Sequence, residues 1–109
     1  MLYMVVEHFR GGDPTPVYQR FREQGRLAPD GLRYVGSWVT DDLARCFQIM
    51  ECDDASLLAE WMARWEDLVE FEVIPVVTSQ QAAAAVAMPG RRGAPPPARA
   101  RAASPRARR

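Results

Sequence analysis

Four short segments of this sequence carry apolar side chains at both odd and even positions, and that pattern limits what the chain can fold into. In Leu2–Phe9, Leu2, Met4 and Val6 alternate with Tyr3, Val5 and Phe9. In Leu32–Val39, Leu32, Tyr34 and Trp38 stand against Val35 and Val39. In Ala44–Cys52, Phe47 and Ile49 stand against Cys46 and Met50. In Glu70–Val77, Phe71, Val73 and Val77 stand against Ile74 and Val76. Successive side chains of a strand point to opposite faces of its sheet. A sheet built from these strands therefore needs cover on both sides.

Two helical segments separate the strands. Thr15-Pro16 reads as an N-cap followed by proline at the first helical position, with Asp13-Pro14 as an alternative start. Val17, Tyr18, Phe21 and Gly25 then share one helical face, which carries the helix to about Arg26. Asp53-Asp54 can cap a second helix whose Leu57, Leu58, Trp61, Met62 and Trp65 form a wide apolar stripe. Thr40-Asp41-Asp42 is a polar hairpin connection, and Ser79–Met88 has the alanine content of a short terminal helix. The order is β-α-β-β-α-β. It predicts an α+β, ferredoxin-like domain over residues 1–88, with strands one and three central in a four-stranded antiparallel sheet and both helices on one face.

Two helices cover one face, so the other is expected to be covered by a second copy of the chain, giving a dimeric α+β barrel. Other supports for so small a core are not evident. Cys46 and Cys52 lie six apart in one predicted strand, roughly 20 Å at the strand rise and too far for a bridge. His8 is the lone histidine and there is no CxxC spacing, so no metal site is expected. The N-terminus lacks the basic region of a signal peptide and no apolar run could span a bilayer, so a cytoplasmic protein with reduced thiols and no membrane contact is expected.

The formal net charge of zero averages two unlike regions. Residues 1–88 hold all 14 acidic residues and 7 arginines, whereas 91–109 hold 7 arginines and no acid. An acidic body argues against nucleic-acid binding. From Arg91 onward the composition is Arg, Ala, Pro, Gly and Ser, with little to bury, so 89–109 is expected to be a disordered tail. GC-rich codons account for that composition, and non-specific nucleic-acid contact through it is the weaker alternative.

The runs Gly12–Arg22, Gly31–Val39, Arg45–Glu51 and Trp61–Pro75 resemble a small bacterial family known by the label domain of unknown function 3303. The resemblance covers about residues 1–85. It implies a ferredoxin-like fold similar to the dimeric α+β-barrel proteins. That group includes cofactor-free monooxygenases, muconolactone-isomerase-like enzymes, chlorite-dismutase-like haem proteins and stress-response proteins without known chemistry. It carries no catalytic residue over to this chain.

Several residues are candidates for a ligand site on the sheet face turned to the partner. A mid-strand glutamine is costly beneath packed helices, so Gln48 is expected on the partner side, together with Cys46 and Met50. Tyr34, Gly36 and Trp38 share a parity, and the glycine between two rings leaves a floor for a planar ligand. The ordinary alternative is that these side chains pack the dimer core. His8 is the weak catalytic candidate, suited by its unperturbed pKa to proton transfer. Glu7 beside it points to the opposite face, so only one of the two can line a pocket. Cys46 reads as a small buried apolar residue, and haem on His8 is set aside, so no cofactor is expected. Arg20, Arg22, Arg26 and Arg33 read as partners of surface carboxylates, with an anion site as the sharper alternative. The expected function is binding of a small hydrophobic or aromatic molecule, extending to cofactor-independent monooxygenase- or isomerase-like chemistry. The alternative is a non-catalytic dimerisation module.

Overall fold

A computed structural model of the protein describes residues 1–87. The expected tail, 89–109, lies outside the described residues. The elements are β1 (Leu2–Phe9), α1 (Thr15–Gln24), β2 (Arg33–Val39), β3 (Arg45–Glu51), α2 (Ser56–Ala63), β4 (Val69–Val76) and α3 (Ser79–Ala87). The four strands form one antiparallel sheet in the order β2-β3-β1-β4, the α+β arrangement expected from the element order.

Local chemistry sets the element ends. β1 stops where Gly11 and Gly12 take positive φ. Asp13 Oδ1 accepts the Thr15 N–H as α1 begins, and Asp54 Oδ1 accepts the Ser56 N–H as α2 begins. The β2–β3 hairpin closes through Thr40 N–H to Arg45 O at 2.9 Å, and Asp42 Oδ1 takes the Ala44 N–H at 3.0 Å. α1 ends two residues earlier than its periodicity predicts. Gly25 adopts φ 75° and ψ −161°, a conformation essentially restricted to glycine, while its N–H still bonds Phe21 O.

Residues 1–77 form one compact unit. Its core packs Val5 and Met50 of the sheet against Leu58 and Trp61 of α2 and Trp65 just beyond it, with Val17 of α1 at the margin. Both helices thus lie on one face of the sheet. They contribute unequally: α2 buries Leu58 and Trp61, whereas no residue of α1 is fully buried. Residues 78–87 belong to a second unit. There Thr78 Oγ1 accepts the Gln81 N–H, while the Gln81 side-chain oxygen accepts the Thr78 N–H, a reciprocal cap that starts α3. No helix among the described residues is long and apolar enough to cross a membrane.

The two sheet faces are assigned by register. Val5 pairs with Gln48 and Val73, and Glu7 with Cys46 and Phe71, so these residues face the helices. Met4 pairs with Ile49 and Ile74, and Val6 with Phe47 and Glu72, so these lie on the outer face. Trp38, opposite Phe47, joins them and is 64% exposed.

The turn conformation at Gly25 gives a direct check. An added Cβ would find open space, so the cost of Gly25→Ala is backbone strain alone. We expect a loss of about 1–3 kcal/mol in urea denaturation with an unchanged m-value.

Candidate functional site

The helix-covered face of β1 reads Tyr3, Val5, Glu7, Phe9, and the third of these is a carboxylate in an otherwise apolar row. Glu7 is 8% exposed and Gln48, diagonally beside it on β3, is 3% exposed. A buried carboxylate needs hydrogen bonds. Gln48 Nε2 donates to Glu7 Oε2 at 2.8 Å, and Arg26 Nη1 donates to Gln48 Oε1 at 2.5 Å. The amide orientation follows from its neighbours, because a guanidinium only donates and an ionised carboxylate only accepts. The result is a relay, Arg26 to Gln48 to Glu7, linking the loop after α1 to the centre of the sheet.

Arg26 is held in place from both ends. Its main-chain carbonyl accepts two indole N–H groups, Trp61 Nε1 at 3.0 Å and Trp65 Nε1 at 2.9 Å. The next carbonyl, that of Leu27, accepts Arg64 Nη1 at 2.7 Å, and Leu27 itself sits at φ 62°. At the other end the guanidinium lies 3.7 Å from the centroid of the Tyr34 ring and 5.2 Å from that of Phe21.

Beside this relay is a cavity of about 170 Å³ between the sheet and α1. Glu7, Gln48 and Cys46 form its floor, Tyr18 and Phe21 stand on the helix side, and Trp61 and Trp65 close the far wall. It is a place where α1 fails to pack down on the sheet. An apolar cavity of about 150 Å³ accommodates benzene, so this space suits a single ring with a small substituent.

Burial raises the Glu7 carboxyl from its ordinary 4.5 to about 7, against the opposing pull of Arg26 and the Gln48 hydrogen bond. Desolvation is the dominant cause. The carboxyl therefore exchanges its proton near neutrality, as a general acid or base requires. Glu7 Oε1 meets no protein donor among the described residues. Burial, then the nearby Glu7 charge, pushes the Cys46 thiol up to about 12, so it is not an activated nucleophile. Burial also raises Tyr18, assisted by Cys46 and Glu7.

Several sequence expectations need correction. Cys46, Gln48 and Met50 face the helices, not the partner side: Gln48 escapes the desolvation cost because Glu7 and Arg26 satisfy both ends of its amide. Met50 is fully buried in the core, away from the cavity. Tyr34, Gly36 and Trp38 do not share a face. The register slips between Tyr34, opposite Met50, and Gly36, opposite Ile49, and this bulge turns Tyr34 to the helices while Gly36 and Trp38 face outward. The space over Gly36 holds Trp38 itself, whose ring lies 3.6 Å from where a Cβ would stand. His8 lies on the outer face between Arg45 and Glu70, off the cavity, so Glu7 is the member of that pair that lines it.

Glu7 and Arg26 are the residues that sequence reasoning did not place in the site. A charge on the buried parity of β1 was the available signal for Glu7. Nothing local separates Arg26 from its neighbours, since its role depends on where two tryptophans of α2 hold the loop.

Residues 1–89 match the model of the domain of unknown function DUF3303. The chain belongs to this family. No curated protein and no solved structure matches it. The DUF3303 description assigns no chemistry.

Glu7 makes stability depend on pH in a defined direction. Its carboxyl binds a proton more tightly in the folded chain than in the unfolded one. The stabilisation from that proton is complete below pH 4.5 and is lost as pH rises through about 7. The displacement from 4.5 to about 7 corresponds to about 3 kcal/mol. We expect wild-type stability to fall by about that amount between pH 4.5 and 8, and Glu7→Gln to flatten the profile across this range in chemical denaturation.

Proposed function

We propose that this DUF3303 protein binds a small, single-ring molecule in the cavity between its sheet and α1, and exchanges a proton with it through Glu7. The observation that carries this reading is a carboxyl titrating near neutrality on the wall of an aromatic-lined cavity, with one oxygen uncommitted. Such a site supports proton transfer without a cofactor, as isomerisation or deprotonation of a ring substituent requires. Gln48 and Arg26 stabilise the ionised carboxylate and fix its rotamer, so Glu7 meets the ligand in one geometry. The cellular setting in this reading is the cytoplasm, where Cys46 and Cys52 stay thiols, as they are here.

Methyl NMR tests the cavity. Phenol at millimolar concentration should shift the methyl resonances of Val17, Val39 and Val69, which border the space, and leave Met4, Ile49 and Ile74 in place. Shifts confined to the outer-face methyls, or none, would sink the reading.

A second reading has its own support. The outer sheet face presents Leu2, Met4, Phe47, Ile49, Ile74 and Trp38, a patch that water would wet in an isolated chain. We propose that a second copy covers this face, so that the protein is a homodimer. The dimerisation module is the whole function only if the cavity takes no ligand. Sedimentation at micromolar concentration should give twice the chain mass, and Ile49→Glu should yield a folded monomer. A wild-type monomer overturns the homodimer.

A further inference from the structure

Arg26 differs from the arginines around it. Arg10, Arg20, Arg33 and Arg64 each pair with a carboxylate on the surface: Glu70, Asp67, Glu51 and Glu60 respectively. The exposed Arg22 and Arg45 have no such ion pair among the described residues, and neither has Arg26. It is half-buried, clamped between two aromatic rings, and directs one N–H to an uncharged amide. A guanidinium carries five N–H donors in a rigid planar fork, suited to bidentate capture of a carboxylate. The other four of Arg26 have no protein acceptor among the described residues. Arg26 also borders the cavity, and no other cation does so among the described residues. A half-buried cation with an unfilled fork, at the edge of a ring-sized space, is a seat for an anion.

Resting on the cavity as a small-molecule site, we propose that its ligands are small aromatic carboxylic acids, with the carboxylate on the Arg26 guanidinium and the ring among Tyr18, Phe21 and Trp65. The volume matches the ring, because a cavity of about 170 Å³ accommodates one ring with a small substituent. The charges set the protonation. The titratable groups that face Glu7 are Tyr18 from α1, Arg26 from the loop and Cys46 from β3. β4 presents Phe71, and the α2 side presents Trp61 and Trp65, which bring no charge. Tyr18 and Cys46 are uncharged at neutral pH. The cavity therefore holds one positive charge and at most one negative. A ligand carboxylate adds a second anion beside a single guanidinium, and two carboxylates in that situation retain one proton between them. Glu7 takes that proton from solvent as the ligand binds, and its O–H can then donate to the ligand.

Calorimetric titration with sodium benzoate, benzamide and benzyl alcohol tests the assignment. Measurements at pH 6.5 and 8.5, in buffers of different ionisation heat, report both affinity and proton uptake. Benzoate should bind at least tenfold more tightly than either neutral compound at pH 6.5. Its affinity should fall by at least tenfold by pH 8.5, with about one proton taken up at the higher pH. Glu7→Gln should keep benzoate binding and remove its pH dependence. Arg26→Gln should lose benzoate at least tenfold and keep benzyl alcohol. Neutral compounds binding as tightly as benzoate in the wild type would overturn the carboxylate assignment and leave the cavity standing; this comparison needs no variant to fold. If none of the three binds at millimolar concentration, the cavity reading itself fails and this one with it.

Discussion

A carboxylate placed between a sheet and its helices has to be answered by hydrogen bonds, and much of this fold's local detail follows from answering Glu7. Left alone there, its charge would cost several kcal/mol. The response is indirect: a glutamine carries the influence of a guanidinium that does not itself touch the carboxylate. The relay requires Arg26 at one point in space. That point is fixed by two indole N–H groups converging on the Arg26 carbonyl. The loop reaches it only because Gly25 takes a conformation that other residues avoid. Trp61 and Trp65 are thus both core residues and anchors. Their rings bury apolar area, and their N–H groups meet the hydrogen-bonding need that keeps tryptophan from being a purely hydrophobic residue.

The same arrangement explains why the cavity lies under α1 and not under α2. Truncating a buried tryptophan or leucine costs on the order of 2–5 kcal/mol, so α2, with Leu58 and Trp61 buried, cannot lift without dismantling the core. α1 buries nothing completely, and Tyr18 and Phe21 stand about two-fifths exposed at the cavity edge. Its firmest tie to the rest of the domain is Arg20, which donates to Asp67 and to the Arg64 carbonyl. The cavity therefore lies beside a helix with no fully buried residue, while α2 closes the core.

Much of the scaffold was legible in the sequence. β1 was read with its exact ends, the other strands within one residue, and the helices from their apolar stripes, although Thr15 lies inside α1 and Pro14 holds its cap position. α2 gives way to turns before Trp65, so the stripe outlasts the helix. The faces were harder. Placing Gln48 outward was sound for an unpartnered amide, but its partners come from β1 and from a loop 22 residues away, pairings that periodicity does not encode. The Tyr34/Gly36/Trp38 set failed for a different reason. One extra residue in β2 inverts the parity of everything before it, and Val35 carries no mark of a bulge. The sequence did supply the charge of Glu7 on a buried parity, a local inconsistency of the kind that functional sites tend to produce.

The two faces of the sheet carry separate roles, which the sequence pattern alone places on one surface. With the candidate polar residues facing outward, ligand and partner would share one surface, and the site would exist only in a dimer. With Glu7, Gln48 and Arg26 facing inward, the polar groups lining the cavity lie on the opposite side of the sheet from that surface. The outer face keeps a largely apolar row, Gly36, Ile49, Met4 and Ile74, with no buried polar group among the described residues to orient a ligand. A twin chain stacked there would dry that row and leave each cavity on the far side of the sheet. The one element common to both surfaces is β1, where Val6 and Glu7 are adjacent and point opposite ways. Any influence of assembly on the carboxyl would pass through the placement of that strand, because no side chain of the relay reaches the outer face.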